Sequence, residues 1–293
     1  MQSTASAVGV VVVIVANPLA EGAAAAIFLN PEKSNDQCYH LHVPVKRQPI
    51  ALTLAGVDSS GGAGVVVDMA TFTAFGVQGK CVVTAVTAQS SKAVWGVQGT
   101  RPAIITAQLE AAFSERPPVV AKSGMLHSSG VVEAVAEFWD QRRTPLVVDP
   151  VLASSSGTTL LNPAGVRALK RRLLPLAKVV TPNVPEAEAL SGMFIKSSED
   201  MRQAARAIHE MYGCAAVITG GHLRGKEILE VLYDGRDEYE FAAPRLRGGP
   251  WRGTGCRFAS AVAAELAHGN SLSAAVGEAT QWVSAALAKI KGR

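Results

Sequence analysis

Ile50-Ala51-Leu52-Thr53-Leu54-Ala55, followed by Gly56-Val57-Asp58-Ser59-Ser60-Gly61-Gly62-Ala63-Gly64, decides the fold of this chain. The first part is a short apolar run, and the second is a loop rich in glycine and serine. The loop leads into residues 65 to 75, whose larger apolar side chains recur at helical spacing. Strand, glycine-rich loop and helix in this order are typical of α/β proteins that offer backbone donors to a ligand. The third glycine of the dinucleotide fingerprint is missing, so we do not predict a dinucleotide site.

Further apolar runs follow this unit and alternate with helical segments. They end at Gln89, Lys122-Ser123-Gly124, Asp149, Thr181-Pro182-Asn183 and Thr219-Gly220-Gly221. This alternation predicts a mainly parallel sheet with helices on both faces. The ligand crevice of such a sheet lies outside the carboxyl ends of its strands, so we expect these residues to surround one site. Residues 227–233 and 238–241 predict a β-hairpin that turns at residues 234–235.

The composition is that of a globular protein. The chain has 293 residues, of which 48% are hydrophobic and 18% charged, and its net charge is +4. Aromatic residues are few and do not alternate with basic ones, so we do not expect nucleic acid as a partner. The four cysteines stand far apart, without a C-x-x-C pair or a histidine at ligand spacing, which argues against a disulfide framework and a zinc site.

Residues 1–48 differ in pattern from the rest. Residues 8–16 form an apolar run that is too short for a bilayer, which needs about 20 residues. The first basic residue is Lys33, so the positive flank of a secretory signal is missing and a cleaved signal is disfavoured. The segment either adds a strand or is a poorly ordered extension from a start codon placed upstream, and we favour the extension. We therefore predict one domain at residues 49–293, no membrane association and a cytoplasmic location.

A second diagnostic stretch is Arg252-Gly253-Thr254-Gly255-Cys256, which runs into an apolar helical pattern. The first backbone N–H groups of a helix lack internal partners and carry the positive end of the dipole, so they hold negative charge. We predict that residues 253–256 form an anion hole for a phosphoryl group in transfer, with arginines around it and Cys256 beside the accepting hydroxyl. The alternative is a tight turn followed by a cysteine that only packs.

A nucleotide site needs a phosphate cradle and a place for magnesium. Residues 220–226 nearly match the P-loop, but Glu227 replaces the metal-binding hydroxyl and a strand-like run follows, so we reject that motif. Asp149 and Glu186 are the best carboxylates for Mg²⁺, which takes one or two carboxylates plus substrate phosphates. Their alternative roles are a turn at Asp149 and a helix cap at Glu186.

A series of motifs in this chain stands in the order found in hydroxymethylpyrimidine/phosphomethylpyrimidine kinases. The motifs are Ala55 to Gly64, Thr84 to Gln89, Lys122 to Leu126, Val148 to Val151, Thr181 to Glu188, Gly220 to His222 and Gly253 to Cys256. Over residues 49–290 the chain therefore resembles this family of the ribokinase-like superfamily. The resemblance implies a three-layer α/β/α sandwich with a mainly parallel central sheet, and a homodimer.

The resemblance also implies an activity and a site. The activity is ATP-dependent phosphorylation of 4-amino-5-hydroxymethyl-2-methylpyrimidine, and then of its monophosphate, in thiamin biosynthesis. Gln89 would read the pyrimidine edge, and Gly56, Asp68 and Met125 would surround the substrate. Asp149, Asn183, Glu186, Gly221 and Arg252 would serve the ATP side, with Asp149 and Glu186 as Mg²⁺ ligands. Cys256 takes the place where most of the superfamily has an aspartate base.

Departures from the family pattern and rival functions stay open at this point. Thr219 and Ser155 stand where lysine is frequent, and Arg252 stands where histidine is common. The rivals are a pyridoxal or pyridoxine kinase of the same fold and a catalytically silent nucleotide- or vitamin-binding regulator. Gln89 favours the aminopyrimidine because an amide both donates and accepts. A helix N-terminus can lower the pKa of a cysteine, which predicts a thiolate base at Cys256.

Overall fold

The computed structural model describes residues 11–15, 23–29, 39–44, 47–90, 92–154, 157–223, 225–246 and 251–291. The chain divides into two compact units, residues 1–48 and residues 49–293. In the first unit, β1 (Val11–Val15), β2 (Ala23–Leu29) and β3 (Tyr39–Pro44) pair with one another in an antiparallel sheet of three strands. The prediction that residues 1–48 are a poorly ordered extension from a start codon placed upstream stays a prediction, and the rest of that segment up to residue 46 lies outside the described residues.

The second unit is built on a sheet of nine strands in the order β12-β11-β10-β9-β8-β7-β4-β5-β6. These strands are β4 (Ile50–Asp58), β5 (Gln78–Gln89), β6 (Val94–Gly99), β7 (Val120–Ser123), β8 (Leu146–Val148), β9 (Val179–Val180), β10 (Ala215–Thr219), β11 (Glu227–Tyr233) and β12 (Glu238–Pro244). The strands from β10 to β5 in this order run parallel, whereas β6, β11 and β12 add antiparallel pairs at the two ends. The predicted mainly parallel sheet and the predicted hairpin are both confirmed.

Helices cover both faces of this sheet. They are α1 (Gly64–Ala74), α2 (Pro102–Ser114), α3 (Ser129–Asp140), α4 (Pro163–Ala168), α5 (Val184–Ser191), α6 (Ser198–Tyr212), α7 (Thr254–Ala267) and α8 (Leu272–Lys291). Successive side chains of a strand point to opposite faces, so Leu52 and Leu54 join one buried cluster and Ala51 joins the other. The first cluster lies under α2 to α6 and the second under α1, α7 and α8. The result is the three-layer α/β/α sandwich that the sequence predicted.

Local sequence signals account for several helix ends near the site. Asn183 caps α5 and forms a capping box with Glu186, which satisfies backbone donors at both ends of that first turn. Gly192 ends the same helix with a left-handed conformation, which glycine adopts without strain. Among the described residues, no helix is long and apolar enough to cross a membrane.

Candidate active site

The glycine-rich loop folds back on the strand that precedes it. Gly64 begins α1 with φ +63°, and a Cβ atom there would lie 2.1 Å from the carbonyl oxygen of Gly56. Only glycine fits such a contact, because any other side chain would collide with the backbone. The loop therefore holds the end of β4 and the start of α1 together at the carboxyl edge of the sheet.

The start of α7 meets this loop directly. Gly253 caps the helix with φ +69°, and a Cβ atom on it would lie 2.3 Å from the carbonyl oxygen of Gly62. A Cβ atom on Gly255 would meet nothing within 4 Å, so the first turn of α7 faces open space at that point. The predicted anion hole is thus a helix N-terminus beside the carboxyl ends of the parallel strands, where free backbone N–H groups favour an anion.

Lys122 lies at the centre of the site, among the strand-end residues that were expected to surround it, although no individual role was predicted for it. It is the penultimate residue of β7, its side chain is fully buried, and its Nζ atom lies 3.1 Å from Asp68 Oδ2 and 3.7 Å from Asp149 Oδ2. Asp68 also accepts hydrogen bonds from Thr53 Oγ1 at 2.6 Å and Ser260 Oγ at 2.8 Å. A buried ammonium ion is thereby fixed between two carboxylates, which is the arrangement that a buried charge requires.

The charges around Lys122 alter its pKa and that of Cys256. Burial alone lowers the pKa of Lys122, but Asp68, Cys256 and Asp149 together raise it above its ordinary value. Burial raises the pKa of the Cys256 thiol to about 12, while the Lys122 ammonium acts in the opposite direction. The expectation of a lowered pKa at Cys256 is therefore wrong for this structure, because desolvation outweighs the Lys122 cation.

Asp149 and Glu186 form the acidic side of the site. Glu186 Oε1 accepts the backbone N–H of Leu152 at 3.1 Å, and Oε2 accepts that of Asn183 at 3.1 Å. Burial and the charge of Asp149 raise the pKa of Glu186 to about 8, and burial raises the pKa of Asp149 against the opposing effect of Lys122. The helix cap that was the alternative role of Glu186 is thus present, and Glu186 also lies close enough to Asp149 for their charges to interact.

These two carboxylates fit magnesium in the manner that this ion usually adopts. No group of three or more His, Cys, Asp or Glu side chains within the described ranges could hold a metal ion without other ligands. Mg²⁺ does not need such a group, because it keeps several waters and takes one or two carboxylates together with phosphates. Mutual repulsion raises the pKa of Glu186 next to Asp149, and a cation between them would relieve that repulsion.

Three of the predicted substrate residues, Gly56, Met125 and Gln89, lie near the end of β4, where the glycine-rich loop begins. Met125 is 8% exposed and packs with Ala85 and Leu160, and a Cβ atom on Gly56 would lie 3.1 Å from its sulfur. Gln89 ends β5, and its Oε1 atom accepts a hydrogen bond from Thr87 Oγ1 at 3.2 Å. Gly56 in β4, Gln89 at the end of β5 and Met125 just after β7 therefore lie at the same edge of the sheet, with apolar packing around Met125.

Asp68 occupies a different place from the one that the resemblance implied. Its side chain is fully buried, and its carboxylate is taken up by Thr53, Lys122 and Ser260. The structure thus places Asp68 beneath the site, where it holds Lys122. Direct contact between Asp68 and a substrate would require this network to open.

The predicted nucleotide residues Asn183 and Gly221 follow β9 and β10. A parallel β-bridge pairs Asn183 with Thr219 at the end of β10. A Cβ atom on Gly221 would meet nothing within 4 Å, so this backbone also borders open space. Arg245 donates hydrogen bonds to the carbonyl oxygens of Gly221 and Leu223, so its guanidinium supports the turn. Ser155, where the family often has lysine, and Arg247 lie outside the described residues.

Arg252 was predicted to serve the ATP side, and the structure pairs it with the glycine-rich loop. Its Nη2 atom lies 2.8 Å from Asp58 Oδ2, and its Nη1 atom donates to Ser60 Oγ at 2.9 Å. The Arg257 guanidinium in turn donates to the carbonyl oxygen of Arg252 at 2.9 Å. The arginines near α7 therefore make contacts within the protein.

Comparisons with known proteins agree with this geometry. The family model described as phosphomethylpyrimidine kinase matches residues 58–292. The chain is 43% identical over 237 residues to the thiamine biosynthesis bifunctional protein ThiED of Geobacter sulfurreducens, covering 80% of this chain and 48% of that protein. It is 39% identical over 243 residues to the hydroxymethylpyrimidine/phosphomethylpyrimidine kinase of Aquifex aeolicus, covering 83% of this chain and 95% of that protein. The chain thus spans about half of the bifunctional relative and nearly all of the second.

Solved structures give the same picture of the fold. The phosphomethylpyrimidine kinase from Clostridium difficile superposes with a TM-score of 0.73 at 35% identity, covering 82% of this chain and 100% of that one. The ADP complex of Bacillus subtilis pyridoxal kinase superposes with a TM-score of 0.74 at 35% identity, covering 80% of this chain and 90% of that one. Kinases for two different ring substrates therefore share this scaffold.

Proposed function

The chain belongs to the phosphomethylpyrimidine kinase family, and from this premise we propose that it phosphorylates 4-amino-5-hydroxymethyl-2-methylpyrimidine and then the monophosphate, with ATP as donor. The observation that carries the proposal is the position of Lys122, which pairs with Asp149 and acts electrostatically on Cys256 at the start of α7. The N-terminus of α7, the Lys122 ammonium and the Asp149 carboxylate thus lie near one another at the carboxyl ends of the strands. Such an arrangement neutralises a phosphoryl group in transfer.

The reaction asks for positioning more than for covalent chemistry. The hydroxymethyl oxygen forms a bond to the γ-phosphorus, the bond from that phosphorus to the β,γ-bridging oxygen breaks, and ADP leaves. The first-turn amides of α7 would contact the transferred group, whereas the buried Lys122 ammonium would act on its charge from a distance and without direct contact. Cys256 remains our candidate for the group that receives the hydroxyl proton. It must first lose its own proton, which burial opposes and Lys122 favours.

We assign the remaining residues by their places around this point. Asp149 and Glu186 would hold Mg²⁺, which supplies neutralising charge at the phosphates when bound. Asn183 and Gly221 would contact the nucleotide, and Gly56, Met125 and Gln89 would line the ring pocket. The homodimer and the cytoplasmic location that the resemblance implied remain predictions.

A second candidate is phosphorylation of pyridoxal, because pyridoxal kinases superpose on this chain as well as a phosphomethylpyrimidine kinase does. Both rings carry a hydroxymethyl group, so the same phosphoryl-transfer centre would serve either one. The residue that separates them is Gln89, whose carboxamide can donate to a ring nitrogen and accept from an exocyclic amine. Pyridoxal offers no exocyclic amine to that carboxamide, so we place it second.

Release of ADP, measured in a coupled assay with each ring compound as acceptor, tests the proposal. We expect kcat/KM for the hydroxymethylpyrimidine to exceed that for pyridoxal by at least about tenfold, which one lost hydrogen bond accounts for. A preference for pyridoxal would establish the second candidate. If neither compound accepts phosphate while calorimetry still shows ATP binding, the chain is a silent regulator and the proposal is wrong.

A further inference from the structure

The glycine-rich loop after β4 and the segment that precedes α7 touch through their backbones, and an ion pair joins the two segments. Gly253 packs against the carbonyl oxygen of Gly62, and a Cβ atom on Gly62 would lie 3.2 Å from Arg252 Nη1. The Arg252 guanidinium therefore lies against the glycine-rich loop. The absence of side chains at these two glycines lets the guanidinium reach the acid at the start of that loop.

That acid is Asp58, and both of its carboxylate oxygens are engaged. Oδ2 pairs with Arg252 Nη2 at 2.8 Å, and Oδ1 accepts the N–H of Ser60 at 2.9 Å and its hydroxyl at 2.8 Å. The Asp58 side chain is 4% exposed and that of Arg252 is 18% exposed. Charge-assisted bonds of this kind are strong when water is largely excluded, and the loss of one partner leaves a buried charge without compensation.

The same loop is tied to the residue predicted to read the ring. Ser59 Oγ accepts the backbone N–H of Gln89 at 3.0 Å and donates to its carbonyl oxygen at 3.1 Å. Thr87 Oγ1 donates to the carbonyl oxygen of Val57 at 3.1 Å. A continuous series of polar contacts thus runs from Arg252 through residues 57–60 to the end of β5.

We propose that Arg252 is a positioning residue for the pyrimidine side of the site, acting through the Asp58 and Ser60 clasp on Gln89, and not a ligand of ATP. The proposal rests on the function proposed above, in which Gln89 reads the pyrimidine. It replaces the role that the sequence suggested for Arg252, because a guanidinium that turned to a phosphate would leave the Asp58 carboxylate buried and unpaired.

The test is a double-mutant cycle with Arg252→Met, Asp58→Asn and the double variant. Arg252→Lys is the conservative variant, and Arg171→Met is the matched control, because Arg171 is exposed on the surface. Urea unfolding without substrate measures the coupling of the two side chains. We expect the single variants each to shift the unfolding equilibrium by about tenfold, or about 1.4 kcal/mol, and the double variant to add little to either.

Calorimetry then measures binding of the hydroxymethylpyrimidine and, separately, of a non-hydrolysable ATP analogue. We expect both single variants to weaken pyrimidine binding by about tenfold and analogue binding by less than about threefold, with Arg252→Lys in between and Arg171→Met unchanged. Weakened binding of the analogue in Arg252→Met but not in Asp58→Asn would make Arg252 an ATP ligand and overturn the proposal. Additive effects on unfolding would overturn the clasp itself. Failure of the wild type to bind the pyrimidine would refute the proposed function while the unfolding cycle still decides the clasp.

Discussion

Replacing Lys122 by methionine tests whether the centre of the site is an ion-pair network. Methionine keeps the length of the side chain but removes the ammonium that lies 3.1 Å from Asp68 Oδ2. Both side chains are fully buried, and removing one partner of a buried pair costs about 3–5 kcal/mol. Because Thr53 and Ser260 still donate to Asp68, we expect a loss near the low end, about 3 kcal/mol in the free energy of unfolding.

Urea unfolding followed by tryptophan fluorescence measures this loss. The double variant Lys122→Met with Asp68→Asn removes both charges of the closer pair and leaves only Asp149 without the cation, so it should recover part of the lost stability. Lys80→Met is the matched control. The Lys80 Nζ atom donates to the carbonyl oxygens of Ala112, Glu115 and Arg116 at the end of α2, and its loss should cost only about 1 kcal/mol.

Two results would refute this reasoning about Lys122. The first is a loss below about 1 kcal/mol in Lys122→Met, since a buried carboxylate without its cation should lower the free energy of unfolding by more than that. The second is a double variant as unstable as the single one. Either result would mean that Asp68 does not need the ammonium, and Lys122 would then have a role other than charge pairing.

Three further predictions concern catalysis, pH dependence and the N-terminal segment. Cys256→Ala should keep ATP binding in calorimetry but lower kcat by about 10²–10⁴, and near-normal turnover would leave positioning as the whole of catalysis. Glu230 is buried with a pKa raised to about 8, so the native state binds a proton that the unfolded state releases, and stability should fall from about pH 5 to about pH 8. Glu230→Gln should remove the part of that fall that Glu230 causes, up to about 5 kcal/mol at the alkaline end, and leave the part due to Glu186, whereas equal pH profiles of variant and wild type would contradict the assignment. Removing residues 1–48 should leave kcat/KM within about twofold, and an inactive product would show that the segment is needed.

The sequence was sufficient to predict the sheet and the hairpin, because their strands are runs of β-branched residues separated by helical patterns. It did not predict β6, which lies at the edge of the sheet. Val94-Trp95-Gly96-Val97-Gln98-Gly99 contains two glycines, and Trp95 is 72% exposed. An edge strand of this kind has no buried face to impose a regular apolar pattern, so only its pairing with β5 defines it.

The site was predicted less completely than the fold, because contacts distant in the chain determine its charges. Lys122 was predicted only as one of the strand-end residues around the site, not as a buried cation. Its partner Asp68 lies 54 positions away in the chain, on a helix that the sequence alone could not dock against β7. The helix N-terminus at Cys256 was predicted, but not the burial that raises the thiol pKa. Likewise, the pairing of Arg252 with Asp58 depends on two loops that meet only in the folded chain.

Phosphorus NMR of the wild-type protein with ATP, Mg²⁺ and the hydroxymethylpyrimidine tests the central claim most directly. If α7 holds a phosphoryl group for transfer to the hydroxymethyl oxygen and Lys122 acts on its charge, signals of the pyrimidine monophosphate and then of its diphosphate should appear as ATP is consumed. Hydrolysis of ATP to inorganic phosphate alone, with the pyrimidine unchanged, would contradict the account.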